Sequence, residues 1–103
     1  MITRIVKLTF DPNKVEDFIL IFDETKTAIH AVEGNCYLAL VRDIHQKNVF
    51  FTISKWKDEA ALNEYRKSIL FQNVWSKTKA LFSHKPEAWT TEEYSSSGEW
   101  HTK

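Results

Sequence analysis

The stretch Val49-Phe-Phe-Thr-Ile-Ser-Lys-Trp56-Lys-Asp-Glu-Ala-Ala-Leu62-Asn-Glu-Tyr65-Arg-Lys-Ser68-Ile-Leu-Phe71 passes from one structural period to another. Val49 to Ile53 is a run of β-branched and aromatic residues that continues to Trp56, which predicts a strand. Asp58 then suits an N-cap, because its carboxylate accepts a backbone N–H that the first helical turn leaves unpaired. Leu62, Tyr65 and Ile69 follow at helical spacing and predict that helix's buried face. Phe71, Val74, Trp75, Thr78, Leu81 and Phe82 extend helical spacing into a third helical segment, which Lys85-Pro86 breaks.

Toward the N-terminus, Cys36 to Val41 reads as another strand. It joins the first run through the polar hairpin Arg42-Asp43-Ile44-His45-Gln46-Lys47-Asn48. Val15, Phe18, Ile19, Phe22, Ile29 and Val32 predict a helix of about 20 residues, roughly 30 Å long. Asp11-Pro12 opens this helix as N-cap and first helical position, and Gly34 is expected to stop it. Ile2 to Phe10 alternates as a strand, with Ile2, Arg4, Val6, Leu8 and Phe10 on one face. Toward the C-terminus, Glu87 to Tyr94 alternates loosely as a last strand. Ser95 to Lys103 is polar and is expected to be a mobile tail. The order β-α-β-β-α-β predicts an α+β, ferredoxin-like domain over residues 1–94, a four-stranded antiparallel sheet with helices on one face.

Composition narrows function. The chain has 103 residues, two of them glycine and two proline, so no glycine-rich nucleotide loop is present. Fourteen basic and fourteen acidic residues cancel, leaving no global field for nucleic acid or an anionic membrane. The third strand also lacks the small residues of an RNA-recognition strand. The single Cys36 forms neither an internal disulfide nor a cysteine zinc site. His30-x-x-Glu33 has metal-compatible spacing, but no second ligand pair accompanies it, so no metal is expected. Met1-Ile2-Thr3-Arg4-Ile5 runs straight into the first strand with no secretory core, and the expectation is a cytoplasmic protein.

Helices cover only one face of such a sheet, yet both faces of the strands are apolar. Val49, Phe51 and Ile53 lie opposite Phe50 and Trp56, and Tyr37, Ala39 and Val41 lie opposite Cys36, Leu38 and Leu40. Leaving one face wet forgoes several kcal/mol at about 25 cal/mol per Å². A homodimer packed sheet against sheet is the expected solution.

The segment from Trp56 to Phe71 resembles the signature of the antibiotic biosynthesis monooxygenase family. There an aromatic closes strand 3, a Glu-Ala-Leu-type turn opens helix 2, and a Ser and a Phe follow. Glu33-Gly34 before strand 2 and Arg42-Asp43 at its end match the same habit. The resemblance spans roughly residues 1 to 94 and implies a dimeric α+β barrel. Family members include cofactor-free oxygenases of quinols and anthrone-like polyketides, and others that degrade haem. The haem-degrading members use an Asn on strand 1, a Trp ending strand 3 and a haem-ligating His on a following helix. Trp56 matches, but Val6 and Trp75 occupy the other two positions, which disfavours haem degradation. The His that many other members carry in helix 2 falls at Tyr65.

The resemblance therefore implies a monooxygenase that acts on a planar phenolic, quinol-like or polyketide-type molecule with O2 and no cofactor. A non-catalytic small-molecule-binding barrel of the same fold is the alternative. For the chemistry, Tyr65, Trp56 and His30 are the candidate catalytic residues, and Trp75, Phe71 and Arg42 the candidate substrate-binding ones. The Trp rings offer stacking walls and the Tyr65 hydroxyl a hydrogen bond to a phenolate or carbonyl. His30 offers an imidazole as a candidate base, and Arg42 offers a charge to an anionic substrate edge. Tyr65, Trp56 and Trp75 suit plain core packing equally, His30 a helix flank, and Arg42 a surface ion pair with Asp43.

Overall fold

The computed structural model describes residues 1–98. The four strands are β1 (Ile2–Thr9), β2 (Asn35–Arg42), β3 (Val49–Trp56) and β4 (Glu87–Thr91). They form one antiparallel sheet in the order β2-β3-β1-β4. The helices are α1 (Val15–His30), α2 (Glu59–Lys67) and α3 (Ile69–Lys79), with a short 3-10 turn at Pro12–Lys14. This is the ferredoxin-like α+β fold, with β1 and β3 central and β4 on an edge. No helix among the described residues is long and apolar enough to cross a membrane.

The caps fall where the side chains allow. Asp11 Oδ1 accepts from the Asn13 N–H at 2.9 Å, and Asp58 Oδ1 accepts from the Ala61 N–H at 2.9 Å. Ser68 corrects the sequence reading. Its backbone is extended, its hydroxyl donates to the Tyr65 carbonyl at 2.6 Å, and its oxygen accepts from the Phe71 N–H at 3.1 Å. It thus ends α2 and caps α3, and the change of axis leaves Ile69 76% exposed rather than on the buried face of α2. The last strand is also shorter than expected, ending at Thr91, and Tyr94 is fully exposed. Ser95 to Gly98 are exposed, and the rest of the expected tail, 99–103 with His101, lies outside the described residues.

Gly34 has a different task from the one its position suggests. α1 ends at His30 with Ala31 as its cap, before Gly34 is reached. Gly34 has φ +87°, and its carbonyl accepts from the Lys57 N–H at 2.9 Å. A Cβ there would sit 2.5 Å from the Ala61 Cβ. Glycine lets the turn into β2 press directly on the start of α2.

Strand register sorts the side chains. Ile2, Arg4, Val6 and Leu8 pair across from Trp56, Ser54, Thr52 and Phe50, and this face meets the helices. The opposite face presents Ile5, Ile53, Phe51, Ala39, Val41 and Trp89. Val41 and Trp89 are 41% and 46% exposed in the single chain.

Candidate functional site

The core is split into two buried clusters. Ile29, Trp56, Ala61, Leu62 and Tyr65 form one, and Leu8, Phe10, Phe18 and Phe50 the other. Between them lies a cavity of about 350 Å³. That is within the 300–1,000 Å³ range of small-molecule sites and well above a packing defect. Strand β3 explains its position. Its helix-facing side chains run Phe50, Thr52, Ser54, Trp56: large, small, small, large. Ala88 on β4 and Thr25 and Thr78 on the helices are also small and also line the space. The two clusters pack around the large residues, and the small ones leave the gap.

Thr52→Leu is therefore expected to fill part of the gap. It should raise the melting temperature modestly, by cavity filling worth about 0.5–2 kcal/mol, while weakening binding of any planar ligand. Thermal melts and ligand titrations of the variant check both halves.

An aromatic series runs along the cavity. Trp56 and Tyr65 stack at 5.1 Å, and Tyr65 meets Phe71 edge-on at 5.3 Å. Phe71 and Trp75 lie parallel at 6.0 Å. These rings come from β3, α2 and α3, so Trp56, Tyr65, Phe71 and Trp75 are brought together as lining residues. Their roles differ. Trp56 is 1% exposed, with its face against Tyr65 and its indole N–H given to Ser54 Oγ at 3.0 Å. It stands behind Tyr65. Phe71 and Trp75 are only half-buried and keep ring surface for a ligand.

Burial pushes the Tyr65 phenol up to about 12, so the hydroxyl keeps its proton at neutral pH and has a hydrogen to offer a ligand. No protein group among the described residues hydrogen-bonds that hydroxyl. The folded chain holds this proton more tightly than the unfolded chain, whose phenol ionises near 10. Stability is accordingly expected to fall as pH rises from 10 to about 12, by about 1.4 kcal/mol per pH unit. Denaturant melts across that window check it, and Tyr65→Phe should flatten the slope.

Two candidate residues lie away from the cavity. His30 is exposed, and its Nδ1 is 2.8 Å from Asn35 Oδ1. Arg42 is exposed and stands over the Phe50 ring at 4.8 Å. Asp43, beside it, accepts from the His45 and Gln46 N–H groups at 2.9 and 2.6 Å instead of pairing with Arg42. These bonds hold its carboxyl below the usual carboxylate range. The arginines that do line the cavity are Arg4 and Arg66. Arg4 is legible in the sequence only as part of an alternating strand, and no spacing there singles out Arg66. No group of three or more His, Cys, Asp or Glu among the described residues is placed to hold a metal ion.

Comparison with known proteins agrees with this architecture. A family model described as antibiotic biosynthesis monooxygenase matches residues 1–76. The chain is 33% identical over 72 residues to "Putative monooxygenase YcnE" of Bacillus subtilis (strain 168), covering 70% of this chain and 76% of that one. A crystal structure of an antibiotic biosynthesis monooxygenase superposes with TM-score 0.86 at 16% identity, over 92% of this chain and 100% of the other. PA3566 from Pseudomonas aeruginosa superposes with TM-score 0.80 at 21% identity, over 91% and 94%. At such identities these two likenesses bear on the fold alone.

Proposed function

The chain belongs to the antibiotic biosynthesis monooxygenase family, and from that premise we propose that it oxidises a planar phenolic, quinol-like or polyketide-type molecule with O2 in the sheet–helix cavity. The observation that carries this reading is the Tyr65 hydroxyl, protonated and without a protein partner among the described residues, in a cavity walled by Phe71 and Trp75.

The chemistry asks little of the protein. An electron-rich phenol or enol loses its proton to solvent, and its anion is electron-rich enough to reduce O2 directly. Tyr65 donates a hydrogen bond to the oxygen on which that negative charge rests, which favours the anion. The aromatic walls hold the ring flat and keep water from the intermediate. For an anthrone-type CH2 group, one oxygen atom of O2 becomes the new carbonyl, and the other leaves as water with the two hydrogens. Atoms and electrons then balance with no further reductant.

Oxygen uptake with a panel of quinols and anthrones tests the proposal. Uptake is expected with at least one, and Tyr65→Phe should cut kcat by about 100-fold, the size seen on losing one donor to a developing oxyanion. Ligand binding without oxygen uptake would leave a binding barrel and overturn the enzyme reading.

The apolar open face of the sheet supports a homodimer. Ile5, Val41, Phe51, Ile53 and Trp89 form a patch that a second copy would bury sheet against sheet. Sedimentation is expected to give a dimer at micromolar concentration and a monomer for Phe51→Glu. A monomeric wild type would remove the idea.

A further inference from the structure

An arginine on a central strand, facing the helices, is an unusual choice. Arg4 lies opposite Ser54 on β3 and Thr90 on β4, in line with Ile2, Val6 and Leu8. It is half-buried and lines the cavity. One of its N–H groups donates to Thr90 Oγ1 at 2.8 Å, which leaves most of its donor fork uncommitted. Arg66, next to Tyr65 on α2, lines the same cavity. Neither guanidinium takes part in an ion pair among the described residues, and no Asp or Glu lines the space.

This arrangement is costly as it stands. Burial, and then the like charge of Arg66, lower the Arg4 pKa, so the charged form is held against both. An arginine kept at a core-facing strand position without a carboxylate is either a penalty or a site awaiting an anion. A bound oxyanion would reverse the repulsion and accept the unused donors in the planar fork geometry that guanidinium groups provide.

The geometry points to an anion subsite in the cavity, formed by Arg4 and Arg66, and to a substrate that is an aromatic carboxylate, not a neutral ring. The inference rests on the reading that the cavity takes a planar ring. The ring lies along Tyr65, Phe71 and Trp75, and the carboxylate reaches across to the two guanidinium groups. The pair thus fixes which way round the ring enters, and so which ring oxygen meets Tyr65.

Calorimetric titration with 1-hydroxy-2-naphthoate and 1-naphthol tests this, since the two share a ring and a hydroxyl and differ by the carboxylate. Wild type is expected to prefer the naphthoate by about tenfold or more, with the preference shrinking as salt is raised. Arg66→Gln, at an exposed helix position, should reduce the ratio of the two affinities, and Arg4→Gln/Arg66→Gln should bring it to about one. Melting curves establish that each variant is folded. If Arg4→Gln does not fold, an unchanged ratio in Arg66→Gln overturns the paired subsite. Equal affinities in wild type, or a preference that survives in the double variant, overturn the anion subsite while leaving the ring-binding cavity intact. Binding of neither compound removes the ring-binding reading and the subsite with it.

Discussion

Trp56→Ala is expected to lower the stability of the chain by about 3–5 kcal/mol and to abolish ligand binding. Among the described residues Trp56 is the largest fully buried side chain, at 1% exposure. It supports one face of Tyr65 and touches the cluster formed with Ile29, Ala61 and Leu62. Truncation to alanine would merge the void it leaves with the existing cavity of about 350 Å³, so collapse onto the gap would be poor. Tyr65 would lose its stacking partner and its fixed position. Melts at a fixed protein concentration should shift down by more than about 10 °C. Trp56→Phe separates the two effects: it keeps a stacking ring while losing the N–H bond to Ser54 and part of the ring volume, so it should cost less than the alanine, about 1–3 kcal/mol. Binding should survive in Trp56→Phe. A stable Trp56→Ala variant that still binds would show that Trp56 neither holds the core nor positions Tyr65.

The second large effect is expected at Gly34→Ala. A non-glycine residue at φ +87° costs about 1–2 kcal/mol in backbone sterics alone. The added methyl would also meet the Ala61 Cβ at 2.5 Å, and neither backbone is free to move. The turn is tied to the residue after β3 through the Lys57 N–H, and α2 is held by its Asp58 cap. Overpacking of this kind adds about 1–3 kcal/mol. The sum is about 2–5 kcal/mol, read from denaturant midpoints with an unchanged m-value. Ala61→Gly should relieve the collision but not the backbone strain, so Gly34→Ala/Ala61→Gly is expected to recover only part of the loss, with helix propensity subtracting about 1 kcal/mol of it.

Each element's type and order came from local period. Strand β3, the Asp58 cap of α2, the α1 stripe and the two-sided apolar strands are properties of a few consecutive residues, so the alternation and spacing in the chain are enough to read them. Ends were less legible. Ile69 keeps the spacing of α2, but the Ser68 hydroxyl makes two backbone bonds that favour a break there, and spacing does not register that competition. Gly34 looked like a helix stop because glycine suits that role. Its actual constraint is Ala61, a residue remote in the chain.

By itself the sequence determined the α+β order, the apolar character of both sheet faces and the resemblance to the monooxygenase family that the family match bears out. It also singled out Trp56, Tyr65, Phe71 and Trp75, because large aromatic rings at helical and strand periods must point inward. Only the tertiary structure decided that Thr52, Ser54 and Ala88 leave a space between two clusters, that Tyr65 rather than Trp56 offers an uncommitted polar group there, and that Arg4 and Arg66 line that space while Arg42 and His30 do not. The physical reason is one of reach. Periodicity says which way a side chain points from its own backbone, whereas a cavity and its charges depend on what stands opposite, which is set by strand register and helix packing.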